Sequence, residues 1–242
     1  MKKLMGLLLL SILFVFPLCA NANNMGNVSL SLQASGPSGT ATFPILGTLN
    51  VEFDYDVKLN NGALNEAFCV ENAYSTSGST NQYTLLSIDS SLSTYGLTPA
   101  KYETAAAIAQ YYWLNYEGKG TAAEEDSWKA SAQIAIWEVI FDNTLSSAVD
   151  LDLGGGTFKY SGTYSAHAQD IWDAVKSSIP TSSTEWALAV SPVISATNPT
   201  VTVASPQNYL VRNPKQVPEP ASLLLFGLGL LGLTGVGRKM KK

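Results

Sequence analysis

Both ends of this chain are apolar runs bordered by basic residues, and that arrangement removes them from any water-soluble core. At the start, Lys2 and Lys3 precede an apolar run from Leu4 to Leu18, followed by Ala20-Asn21-Ala22. A charged start, a short apolar centre and an A-x-A site are the parts of a secretory signal peptide, with the cut expected after Ala22. Cys19 follows Leu18, where a lipid-attachment cysteine would follow a small residue. At the other end an uncharged stretch from Ala221 to Gly237 leads into Arg238, Lys239, Lys241 and Lys242. That stretch is close to the lower limit of about 17 residues for a bilayer-crossing helix. Its glycines suit a membrane helix better than a soluble one, and its basic tail is expected to remain cytoplasmic. The expected divisions are a signal peptide at 1–22, a folded domain at 23–212 and a C-terminal segment with a transmembrane span at 213–242.

Charge narrows the function of the middle. Of the 14 Lys and Arg, six lie in the terminal segments, and of the 19 Asp and Glu only Glu219 lies beyond Val217. Residues 23–217 therefore hold eight basic against eighteen acidic side chains, a net charge of −10. Nucleic-acid binding needs clustered Lys and Arg, so it is excluded. One histidine and one thiol after signal removal make a protein-only metal site improbable, and no cofactor is expected. Asp150 with Asp152, and Asp54 with Asp56, alternate as calcium ligands can, but the EF-hand spacing is absent.

Periodicity supplies the fold class. Asn27–Leu32 and Leu49–Leu59 alternate polar and apolar residues, the period-two mark of strands with one buried face. In the second run Leu49, Val51, Phe53, Tyr55 and Val57 share one side, opposite Glu52, Asp54, Asp56 and Lys58. Ser35–Gly39 reads as a loop and Asn60-Asn61-Gly62 as a turn, with a strand following at Glu66–Glu71. Helices are expected from Pro99 (with Thr98 as N-cap) to Tyr116, from Asp126 to Phe141, and from Ser165 to Ser178. Strand patterns return at Trp186–Val193, Thr200–Ala204 and Asn208–Val211. The expectation is a single α+β domain, its N- and C-terminal β-strands packed with a central helical layer, plus an N-terminal signal helix and a C-terminal membrane-spanning helix.

Cys69 is the single thiol of the exported chain, in a compartment where disulfides are normal. A leftover cysteine is either reactive or a small buried hydrophobe, and composition alone leaves both open. Gln133, in Ala132-Gln133-Ile134-Ala135-Ile136-Trp137, sits at the border of an apolar helical stripe. A carboxamide held among apolar groups costs free energy unless it is bonded or consumed. A thiolate that attacks a glutamine carbonyl releases ammonia and leaves a thioester, which persists where water is excluded. Phe68-Cys69 and the Gln133–Trp137 run together resemble the thioester domains of bacterial surface adhesins. That resemblance implies a crosslink between Cys69 and Gln133, shielding by Phe68 and Trp137, and covalent capture of a partner's amine. It implies single-use binding and adhesion rather than enzyme turnover. Glu71 or Asp142 is a candidate proton shuttle.

Pro218-Glu219-Pro220, the apolar span and the terminal basic cluster resemble the PEP-CTERM sorting signal. The resemblance implies processing by an exosortase, transient anchoring in the inner membrane, and a final place in the cell envelope or outside the cell. The amine-bearing partner would be a surface protein or a polysaccharide. Two other readings compete: an inert structural protein of the exopolysaccharide matrix, and a cysteine hydrolase that pairs Cys69 with His167.

Overall fold

A computed structural model describes residues 24–34, 36–44, 46–71, 80–142, 150–191 and 207–213. Among them, β1 (Asn24–Ala34), β4 (Tyr55–Leu59), β5 (Leu64–Cys69), β6 (Thr80–Ile88), β8 (Ser183–Val190) and β9 (Tyr209–Arg212) form a closed barrel in the order β1-β4-β5-β9-β8-β6. Every neighbouring pair is antiparallel. A second sheet, β3-β2-β7, joins β2 (Ser38–Phe43) to β3 (Gly47–Glu52) and the short β7 (Lys159–Tyr160). The helices are α1 (Pro99–Asn115), α2 (Ala122–Asp142) and α3 (Ser165–Val175), with a 3₁₀ turn at Ser90–Tyr95. They pack on one another, α1 also against β6 and β8, and α2 against β5.

This architecture corrects the expected α+β layering: the domain is mostly β, built on a closed barrel rather than on a central helical layer. The physical reason lies in two strands. β9 inserts between β5 and β8, so N- and C-terminal strands share one ring instead of forming separate layers. β6 then closes the ring between β1 and β8. Among the described residues no helix is long and apolar enough to cross a membrane. The expected signal helix, the expected C-terminal span and the strand expected at Thr200–Ala204 lie outside the described residues.

Local chemistry explains most of the elements. Val28, Leu30 and Leu32 are buried along β1, and Tyr55, Val57 and Leu59 along β4, as period-two alternation requires. Asn60 and Asn61 both adopt the left-handed conformation, so the chain reverses tightly into β5. The expected continuous strand from Leu49 to Leu59 is instead divided. β3 belongs to the small sheet and β4 to the barrel, and the chain changes sheets at Phe53-Asp54, where Phe53 N–H donates to Pro37 O at 3.0 Å. Ser38 and Gly39, expected in a loop, begin β2.

Helix α1 begins with Pro99 in its first turn, as expected. Helix α2 starts earlier than expected because Thr121 and Glu124 form a reciprocal cap. Glu124 Oε2 accepts from Thr121 N–H at 2.8 Å, and Glu124 N–H donates to Thr121 Oγ1 at 3.3 Å. Every residue of α2 from Lys129 to Ile140 is buried, so this helix is enclosed on all sides. Its polar members (Lys129, Ser131, Gln133 and Glu138) therefore need partners inside the protein.

Candidate functional site: a buried thiol between two carboxamides

Strand β5 ends at Cys69, which faces Tyr209 of β9 across the barrel ladder. On the other side of β5 the ladder to β4 stops at the Tyr55–Ala67 pair, because the chain leaves for the small sheet. The main chain of Cys69 thus has no strand partner on that edge. Gln133 takes the place of one: its Oε1 accepts from Cys69 N–H at 2.8 Å and its Nε2 donates to Cys69 O at 2.8 Å. One side-chain amide satisfies both backbone groups of a wholly buried residue, as a neighbouring strand would.

The sulfur has a different neighbour. The Cys69 thiol donates to Glu71 O at 2.8 Å, and Gln207 Nε2 is in contact with Cys69 Sγ. Gln207 Nε2 also donates to Glu71 O at 2.8 Å, and the Tyr209 hydroxyl lies 3.5 Å from Gln207 Oε1. The residue after Gln207 holds the segment in place. Asn208 N–H and Nδ2 donate to the Glu71 carboxylate, Asn208 Oδ1 accepts from Ser191 N–H at 2.7 Å, and Val70 N–H donates to Asn208 O at 3.2 Å. Cys69 and Gln133 are fully buried and Gln207 is 5% exposed, so both carboxamides meet the cysteine out of bulk water.

Burial dominates the electrostatics. It pushes the Cys69 thiol up to about 12, with a further upward push from the Glu71 carboxylate. Hydrogen bonding from the Glu71 main chain, Trp137 and Gln207 opposes the shift. Burial also pushes the Glu71 carboxyl up to about 7 against its bonds from Asn208. Tyr55 and Tyr83 lie near enough to the sulfur for their hydroxyl pKa values to be raised by it, chiefly on top of their own burial. The Trp137 indole N–H makes no hydrogen bond of ordinary geometry and is buried, although it helps favour the thiolate.

The residues expected at the site are distributed as follows. Cys69 and Gln133 come together, but through the cysteine's main chain rather than its sulfur. Phe68 points to the opposite face of β5, its ring 5.8 Å from Tyr112 and 5.7 Å from Trp186, so it walls the helix side rather than the sulfur. Trp137 packs against Phe43, Phe53 and Phe158 and closes the sulfur side. Of the two proton-shuttle candidates, Glu71 lies at the site. Asp142 instead accepts from Thr157 N–H at 2.6 Å and Phe158 N–H at 3.0 Å.

His167 stacks on Trp128 at 3.9 Å and has Ser127 Oγ 3.4 Å from its Nδ1, and it is not among the groups at the thiol. No cluster of metal-ligating side chains occurs among the described residues. Asp150 pairs with Lys176 and Asp152 holds a turn at Gly155, while Asp54 and Asp56 surround Lys129. Gln207 is the residue that sequence reasoning missed. Its signal was modest: a glutamine in Pro206-Gln207-Asn208, directly before the apolar start of the last strand.

Residues 216–239 match the PEP-CTERM protein-sorting motif, and Pro218, Glu219 and Pro220 fall inside the match. The chain matches no curated protein and no solved structure. A buried-thiol barrel thus directly precedes a sorting motif, and the chain is an exported protein carrying a PEP-CTERM C-terminal signal for exosortase.

Proposed function

We propose that this exported domain forms an internal thioester between Cys69 and Gln207 and uses it to attach covalently to an amine-bearing partner at the cell surface or in the surrounding matrix. The observation that carries the reading is the contact of Gln207 Nε2 with Cys69 Sγ inside a buried pocket. The carboxamide carbon is one bond from that nitrogen, so nucleophile and acyl group are already neighbours, which favours the intramolecular reaction. Gln133, with both ends of its amide held by the Cys69 main chain, fixes the nucleophile's backbone instead of acylating it.

Sγ attacks Cδ of Gln207, the S–Cδ bond forms, the Cδ–Nε2 bond breaks, and the thiol proton departs with the nitrogen as ammonia. No oxidant or cofactor is consumed. The Glu71 carboxyl, raised to about 7, is the titratable group placed to relay that proton. The buried indole N–H of Trp137, which favours the charged form of the Cys69 sulfur, is positioned to stabilise charge that develops at the reacting centre. In capture, an amine from a surface protein or a polysaccharide attacks the thioester carbonyl. Sulfur leaves as the thiol, and the partner stays joined by an amide through Gln207. The reaction is single-use, and the protein acts as a binder rather than a turnover enzyme.

Mass spectrometry of the purified chain tests the proposal. The wild type should lack the mass of one ammonia, and methylamine should add to the peptide that contains Gln207. Cys69→Ala and Gln207→Ala should each retain that ammonia and take up no methylamine. Label on the Gln133 peptide would overturn the assignment of Gln207. A wild type that has lost no ammonia and ignores methylamine would reduce Cys69 to an inert core thiol and leave an exported matrix component.

A further inference from the structure

A second group of reactive side chains is buried away from the thiol. Lys129 is 4% exposed, and its Nζ is in contact with Asp54 Oδ1, 2.9 Å from Glu66 Oε2 and 3.0 Å from Asp56 Oδ1. Asp54 and Glu66 are themselves buried, whereas the Asp56 side chain keeps 25% of its exposure. If all four groups are charged, the pocket carries an excess of two negative charges in a poorly solvated place, which is costly. Burial relieves the excess by favouring the neutral forms of Glu66 and Asp54, which puts a protonated carboxyl beside the amine.

We propose that Lys129 and Asp54 are joined by an isopeptide bond, formed within the folded domain with Glu66 as the proton relay. The Nζ–Cγ bond forms and one Cγ–O bond of Asp54 breaks. An ammonium and a carboxylate become an amide plus one water, with no change of oxidation state. The three nearby carboxylates hold Lys129 as the ammonium, so the nucleophilic amine appears only when a proton passes to a neighbour. Glu66 relays it: burial raises its carboxyl against the pull of Lys129, so its ionised form takes up a proton more readily than an ordinary carboxylate and its neutral form can pass one on to the departing oxygen. Burial likewise raises the Asp54 carboxyl, which favours the protonated, electrophilic form.

Asp54 is the acyl partner because its carboxyl is fixed as well as near. Gly36, at φ +106°, closes over it so tightly that a Cβ there would lie 2.8 Å from both Asp54 Cβ and Oδ2. Asp54 also sits where the chain passes from the small sheet to the barrel, and Lys129 lies one turn before Gln133 on α2. The bond would tie α2 to the barrel beside the strand edge that Gln133 completes.

Tryptic mapping of the full-length chain, before and after methylamine, tests this. The expected product is a branched peptide in which a segment ending at Lys58 is joined to residues 120–159 through an uncut Lys129, one water lighter than its parts. Methylamine, which reverses the loss of ammonia at a thioester, should leave this loss of water unchanged. Glu66→Gln and Asp54→Ala should abolish the branch, and Asp56→Ala should keep it. Cleavage of the wild type at Lys129 into linear peptides of full mass would overturn the proposal and leave an ion-pair cluster, whatever the variants do. A branch through Asp56, or through the Glu66-containing peptide 59–101, would overturn the choice of Asp54.

Discussion

Replacing Gln133 by methionine keeps a flexible side chain of similar length and removes both ends of its hydrogen-bonding amide. In the wild type that amide serves Cys69 N–H and Cys69 O, each at 2.8 Å, on a residue with no measurable exposure. The variant strands two buried backbone groups. Each group left without a partner costs about 1–3 kcal/mol, so the expected loss is about 2–6 kcal/mol. Whole domains are stable by roughly 5–15 kcal/mol, so this one change should remove a large fraction of the total. The experiment belongs in a Cys69→Ala background. That replacement leaves the main chain in place and removes any covalent link to Gln207. Urea unfolding of Cys69→Ala with and without Gln133→Met then isolates the strand-mimicking pair. A loss below about 1 kcal/mol, with the slope of the transition unchanged, would refute the view that Gln133 completes the sheet edge.

Stability should also fall as pH rises from about 4.5 to about 7, in proportion to the burial of Glu71. Its carboxyl is raised in the folded state from an ordinary 4.5 to about 7, so the folded protein binds the extra proton in that window and the unfolded chain does not. Urea midpoints measured across the window should show a decline that Glu71→Gln flattens, and an equal decline in both proteins would discount Glu71. Thr121→Ala removes the side-chain half of the α2 cap and should cost about 1 kcal/mol in the same assay, with no effect on methylamine uptake.

Where one face of a strand meets solvent and the other a core, the alternation was readable, as in β1 and β4. β6 shows why that signal fails elsewhere. Its first residues are mostly exposed, but Tyr83, Thr84, Leu85 and Leu86 are buried on both faces, so no period of two survives. The run from Leu49 to Leu59 keeps its alternation while changing sheets, because side-chain direction does not record which strand is the partner. Asp54 and Asp56 accordingly read as part of a solvated face, and the lysine that buries them is supplied by a helix more than seventy residues later. At the thiol, apolar neighbours correctly marked Gln133 as a buried carboxamide. Nothing local distinguishes an amide that meets a cysteine's backbone from one that meets its sulfur. That distinction depends on β9, which brings Gln207 to a thiol 138 positions away.

The place of β9 in the ring sets an order of events. A chain exported from its N-terminus presents β1, β4, β5, β6 and β8 first, and the barrel stays open until residues 209–212 arrive to fill the gap between β5 and β8. Contacts across so long a stretch form late. Gln207 travels with that final strand, only a few positions ahead of the sorting motif at 216–239. On the reading proposed here, the bond at Cys69 therefore matures only once nearly the whole polypeptide has left the cytoplasm, so amines inside the cell never meet a loaded protein.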